Sequence, residues 1–118
     1  DNYISIANNL DLDVIVEVHG KENFKKYSDK ENILLGINNR NLESMSVDIN
    51  HALKISKESN KRNIICESGI NSFNQLKKLI NNGFCNFLIG EYFMKSKSVG
   101  SAVHKFSNQK LKHVENVK

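Results

Sequence analysis

The sequence contains no proline, no CxxC pair and only two cysteines, Cys66 and Cys85, in 118 residues. The missing proline accompanies an abundance of Asn, Lys and Ile; it reads as compositional drift and leaves the fold class open. Both cysteines lie beside or inside apolar runs, so two small buried thiols are expected. The four histidines are scattered without a metal-ligand spacing, so no metal is expected. No apolar run approaches the ~20 residues of a membrane helix. The N-terminus lacks a basic-then-apolar signal pattern, so nothing points to export and a cytoplasmic location is expected. Basic residues interleaved with aromatics, as a nucleic-acid binder needs, are also missing. The net charge of +4 is dispersed through pairs such as Lys25-Lys26 and Lys77-Lys78. It reads as a solvated surface that gives at most some help in attracting an anionic ligand.

What remains is an alternating pattern. Helical spacing over 2–10 is followed by a β-branched run at 14–18, a short helix at 21–27 and an apolar run at 33–37. A helical face at 48–58 precedes a short apolar run at 64–66, a helix at 73–81, another apolar run at 87–89 and a last helix at 98–106. Ser72 with Gln75 three residues on predicts a capping box, and Gly83 a left-handed C-cap. Apolar runs without strict alternation suit parallel strands buried on both faces, joined by right-handed βαβ crossovers. The chain is expected to be one domain, 1–118, of which 107–118 is a polar tail.

The strand ends carry the chemistry. Period two puts Ile15 with Glu17, Leu34 with Gly36 and Asn38, Ile65 with Glu67, and Leu88 with Gly90 on one side. Glu17 closes an apolar run, where a partly desolvated carboxylate can serve proton transfer; pairing with a lysine is the plain alternative. Glu67 repeats the arrangement one βαβαβ unit later, followed by Ser68. Gly69 and Gly90, each between a strand and a helix, are candidates for backbone approach to a phosphate, together with the N–H of Glu91; a simple turn is the plain alternative. The segment Gly36 to Leu42 turns densely polar at a strand end. Asn38 and Arg40 suit hydroxyls and a carboxylate, whereas Asn39 and Asn41 read as loop caps.

These segments, in order and spacing, resemble indole-3-glycerol-phosphate synthase: Val16-Glu17-Val18-His19, the Gly36 to Leu42 run GINNRNL, Glu67-Ser68-Gly69-Ile70, then Phe87 to Glu91 with Met94. The resemblance runs from Ile6 to about Phe106. It implies a parallel α/β half-barrel, strands five to eight of a (β/α)8 (TIM) barrel. It implies ring closure of 1-(2-carboxyphenylamino)-1-deoxyribulose 5-phosphate to indole-3-glycerol phosphate in tryptophan biosynthesis, with loss of carbon dioxide and water and no cofactor. It implies a catalytic set of Glu17, Asn38 and Glu67. Arg40, Ser68 and Leu88 would bind substrate, and the backbones of Gly69, Gly90 and Glu91 the phosphate, the Glu91 side chain mattering little. Three positions depart from the family pattern. Gly20 stands where an acidic residue is common, the stretch from Tyr27 to Ile33 is unusually polar, and Tyr92-Phe93 replaces smaller residues.

The family's lysines on strands one and three, and its strand-one glutamate, are not in this chain, which predicts negligible synthase activity for the chain alone. Open strand edges predict self-association or completion by an N-terminal half-barrel. The main alternative is a non-catalytic phosphate-binding half-barrel module. A phosphosugar isomerase leaves the run Asn38-Asn39-Arg40-Asn41 unexplained, and the dispersed lysines argue against a basic binding protein.

Overall fold

The structure, a computed structural model, describes residues 2–57 and 59–108, with only the backbone at Arg62. The elements are α1 (Asn2–Asn9), β1 (Ile15–Val18), α2 (Lys21–Tyr27), β2 (Leu34–Asn38), α3 (Asn50–Ile55), β3 (Ile64–Glu67), α4 (Phe73–Asn81), β4 (Asn86–Leu88), α5 (Glu91–Met94) and α6 (Val99–Ser107), with a 3-10 turn at Lys61–Asn63 before β3. The four strands form one parallel sheet in chain order. The expected parallel α/β arrangement is therefore present. The polar tail beyond Asn108 lies outside the described residues.

The register sets the site. Glu17 pairs with Gly36, Gly36 with Ile65, Asn38 with Glu67, and Glu67 with Leu88. One face of the sheet packs under helices. Val18, Leu35, Ile37, Ile64 and Cys66 are buried there and share a single core with Phe24, Ala52, Leu76, Leu79 and Phe84. The other face, on which Ile15, Leu34 and Leu88 stand, leaves those three side chains about half exposed, at 48%, 46% and 56%. The strands were expected to be buried on both faces; the helix side is covered, whereas on the other face Gly36, Asn38 and Glu67 are buried at the rim and Ile15, Leu34 and Leu88 are left half exposed.

Local sequence explains the best-formed helix. The Ser72 hydroxyl accepts from the Gln75 N–H at 3.3 Å, and the Gln75 amide oxygen accepts from the Asn71 N–H at 2.7 Å, one residue ahead of the reciprocal bond of a standard capping box. At the other end Gly83 has φ +96, its N–H bonds to Ile80 and the next N–H, of Phe84, to Leu79. That is a Schellman ending, and its two flanking apolar residues, Phe84 and Leu79, are fully buried. α2 begins after Gly20, which offers no capping side chain where the family pattern has an acidic residue.

Two expectations need correction. Cys66 is buried, with burial pushing its thiol up to about 11, but Cys85 is exposed, in the turn between the α4 cap and β4. α3 is shorter at both ends than the helical spacing suggested: Asp48 accepts from the Asn50 N–H ahead of it, and the buried Ser56 at its end gives both its N–H and its hydroxyl to the Ala52 carbonyl. The short α5 was not foreseen. Its Tyr92 and Phe93 pack around Phe106 of α6, the first tilted and the second edge-on, with ring centroids 4.8 and 5.4 Å away, which gives the departure at Tyr92-Phe93 a packing role.

Candidate active site

The strands end at one rim, and there a cleft of about 430 Å³ opens. Glu17, Asn38, Arg40, Glu67, Ser68, Gly69, Leu88, Gly90 and Glu91 all line it, with Ile70, Asn71, Ile89 and Tyr92. All nine candidate site residues named from the sequence are thus brought to one place. A larger hollow of about 630 Å³ lies at the opposite ends of the strands, around Asn8, Asp11, Asp13 and Asn32, and holds none of them.

Asn38 organises the centre. It is buried, its amide nitrogen donates to Glu17 Oε1 at 2.7 Å, and its amide oxygen accepts from the Arg40 N–H at 2.9 Å. A side chain bonded in both directions has one orientation. Glu67 is also buried, and its carboxyl is pushed up to about 7, first by burial and then by the hydrogen bond and negative charge of Glu17. Two carboxylates that meet across the end of β2, one from β1 and one from β3, cannot both ionise freely, so one proton is held by the pair near neutral pH. The site therefore contains a group able to give and take a proton at physiological pH, beside a second carboxylate and an amide that fixes it.

Gly36 makes this possible. A Cβ at that position would lie 2.1 Å from Glu67 Oε1 and 3.2 Å from Ile15 Cγ2. The carboxylate of Glu67 lies across the strand where any other residue would place a side chain. Reading the sequence put Gly36 on the right face without assigning it to the site; glycine inside a strand was the signal, since it marks close approach.

Asn39 is a cap, as expected, but of wider reach. It is 2% exposed. Its amide oxygen accepts from the Ala52 N–H at 3.0 Å in the first turn of α3, and its amide nitrogen donates to the Ser68 carbonyl at 3.2 Å and approaches Cys66 Sγ at 3.3 Å. It ties the end of β2 to the end of β3 and to the next helix. Asn41 caps locally, accepting from the N–H groups of Glu43 and Ser44. His19 makes a 3.0 Å bond from Nδ1 to the Asn38 carbonyl and stacks on His51 at 4.2 Å between centroids, and the His51 ring bonds the His19 carbonyl. This pair fastens the loop after β1 to the rim.

Ser68 and Gly69 take consecutive left-handed conformations, φ +64 and +77. The second must be glycine: a Cβ there would lie 2.0 Å from Val47 Cγ1, apart from the strain of its φ. Gly90 differs. Its φ is −117 and a Cβ there would meet nothing within 4 Å, so open space borders its backbone on the cleft. Arg40 does not stand free. Its guanidinium donates to Glu91 Oε2 at 2.6 Å and to the Met45 carbonyl at 3.2 Å. The Glu91 side chain, expected to matter little, thus holds the guanidinium of Arg40. Among the described residues no group of three His, Cys, Asp or Glu is arranged to hold a metal ion, and no helix is long and apolar enough to cross a membrane.

Comparison with known proteins bears on the same residues. The chain is 37% identical over 98 residues to the indole-3-glycerol phosphate synthase of Nautilia profundicola, covering 82% of this chain and 38% of that protein. It is 39% identical over 101 residues to that of Campylobacter jejuni, covering 85% of this chain and 39% of that protein. It is 38% identical over 101 residues to a "Tryptophan biosynthesis protein TrpCF" of Buchnera aphidicola, covering 85% and 22%. The chain thus spans about two-fifths or less of the length of these relatives. The family model described as indole-3-glycerol phosphate synthase matches residues 1–106, which takes in every strand and every residue of the cleft, and the chain belongs to that family.

Proposed function

We propose that residues 1–118 supply strands five to eight of an indole-3-glycerol phosphate synthase barrel, residues 107–118 being its polar tail, and that within a complete barrel they help close the ring of 1-(2-carboxyphenylamino)-1-deoxyribulose 5-phosphate. The observation that carries this reading is the convergence of Glu17, Asn38 and a Glu67 that titrates near 7 in one cleft. The names of the relatives support the same reaction and its place in tryptophan biosynthesis.

The chemistry asks for such a set. The ring carbon bearing the carboxylate attacks the ketone carbon, and the ketone oxygen takes a proton. The nitrogen carries the resulting positive charge until carbon dioxide leaves. Water then departs with a second proton, and the carbon next to nitrogen gives one up. Glu17, held by Asn38, is set to stabilise the cation or act as base. Glu67 is tuned to exchange protons during dehydration. Arg40 is the partner for the substrate carboxylate, Ser68 and Leu88 border the substrate, and the backbones of Gly69, Gly90 and Glu91 face its phosphate. The first proton donor belongs to the rest of the barrel. Neither metal nor cofactor has a part in these steps.

The half-exposed inner face and the two edge strands, β1 and β4, support completion by a further half-barrel, or self-association in its absence. Cytoplasmic location fits a biosynthetic enzyme on a small phosphosugar. The test is indole-ring formation by the purified chain, alone and mixed with strands one to four of a relative. The chain alone is expected to be inactive and the mixture active, with Glu17→Gln or Glu67→Gln lowering turnover about 10²- to 10⁴-fold. Turnover by the chain alone, or a mixture indifferent to both substitutions, overturns the proposal.

A further inference from the structure

The Arg40 contact has a second half. Glu91 Oε2 takes the guanidinium at 2.6 Å while its other oxygen, Oε1, takes Lys95 Nζ at 2.6 Å, one helical turn on. The Arg40 side chain is 24% exposed and that of Glu91 48%, so the pair sits at the mouth of the cleft. Lys95, then Arg40, hold the Glu91 carboxyl below its usual range, so it is charged at neutral pH. Two cations thus share one carboxylate, and the cluster keeps a net positive charge. The position that Glu91 fills on Arg40 is the one a ligand carboxylate would need.

We propose that Glu91 is an internal stand-in for the ligand's carboxylate: it holds Arg40 until an incoming aryl carboxylate displaces it, and Lys95 keeps it paired after the exchange. This rests on the reading of Arg40 as the carboxylate partner. Ion pairs half in water are weak enough to exchange, and the i,i+4 spacing keeps Lys95 within reach of Glu91 in either state. Glu91 is then a specificity-determining residue. A ligand without a carboxylate leaves the latch shut. One with a carboxylate opens it without stranding a charge, since the carboxylates exchange places on Arg40 and no bond to Lys95 is lost.

The probe is 2-aminobenzoate, with neutral 2-aminobenzamide as control, titrated into the full chain and followed by nitrogen-15 spectra of the arginine side chains. Glu91→Gln is expected to bind 2-aminobenzoate about 3- to 10-fold tighter, as removal of an exposed competing pair implies. Lys95→Ala is expected to bind it about 2- to 3-fold more weakly, because Glu91 then has Arg40 alone. The benzamide is expected to respond to neither change. Equal affinity in wild type and Glu91→Gln, with binding lost in Arg40→Gln, overturns the latch and leaves the carboxylate reading standing. Tighter binding by Lys95→Ala overturns the receiving role of Lys95. Arg40→Gln binding as well as wild type, or no binding by any variant, overturns the carboxylate reading and the latch with it.

Discussion

The two faces of the sheet are made by alternate residues of the same short strands, yet they do different work. On the helix side Val18, Leu35, Ile37, Ile64 and Cys66 are closed into one core. On the other side Glu17, Asn38 and Glu67 meet at the rim, while Ile15 and Leu34 lie below them, half in water. The difference teaches that the helix side holds the strands in register and that the register aims the polar groups. Because a one-residue slip would exchange the faces, the buried apolar residues are also what keep the acids in the cleft.

Substitutions test this division. The largest effect is expected for Ile37→Ala, fully buried on the helix side, at about 2–5 kcal/mol in urea unfolding. Leu34→Ala, three residues away on the open face, is expected to cost under about 1 kcal/mol. Equal losses would break the comparison.

Gly36→Ala is next, at about 1–3 kcal/mol, because the added methyl overlaps Glu67. It should also drive that carboxylate toward water, so its titration, followed by carbon-13 spectra of the glutamates, should move down from about 7.

The Glu67 carboxyl has an ordinary value of 4.5 and titrates near 7 when folded, so the folded chain holds its proton more firmly than the unfolded one. The stability this contributes is full below about 4.5 and is lost as pH rises through about 7. The full shift corresponds to about 3 kcal/mol, and the opening of the cleft to water reduces the expected loss to about 1–2 kcal/mol. Unfolding at pH 5 and at pH 8 measures it, and Glu67→Gln should flatten the difference. Smallest is Ser72→Ala, about 1 kcal/mol from the lost cap of α4, with no effect on the Glu67 titration.

Most of the alternation was legible in the sequence, because each strand is a short apolar run and each longer helix has a stripe. Most of the nine candidate site residues could be picked out because strand ends and glycines mark themselves, whereas Ser68 and Leu88 were assigned only through the resemblance. What stayed hidden depends on neighbours across strands. That Gly36 lies beneath Glu67 follows from the register of β2 with β3, which no single segment encodes. Arg40 and Glu91 meet although they are 51 residues apart. The four residues of α5 are too few to show a period, and the exposure of Cys85 is set by the turn around Gly83.

The strands all run the same way, and the sheet presents β1 at one margin and β4 at the other. This gives the molecule a direction. Any strand that joins either margin in the parallel sense must arrive with its carboxyl end at the rim where Glu17, Asn38 and Glu67 stand. A partner that pairs in this sense brings its strands' carboxyl ends, and the reactive groups on them, to the cleft.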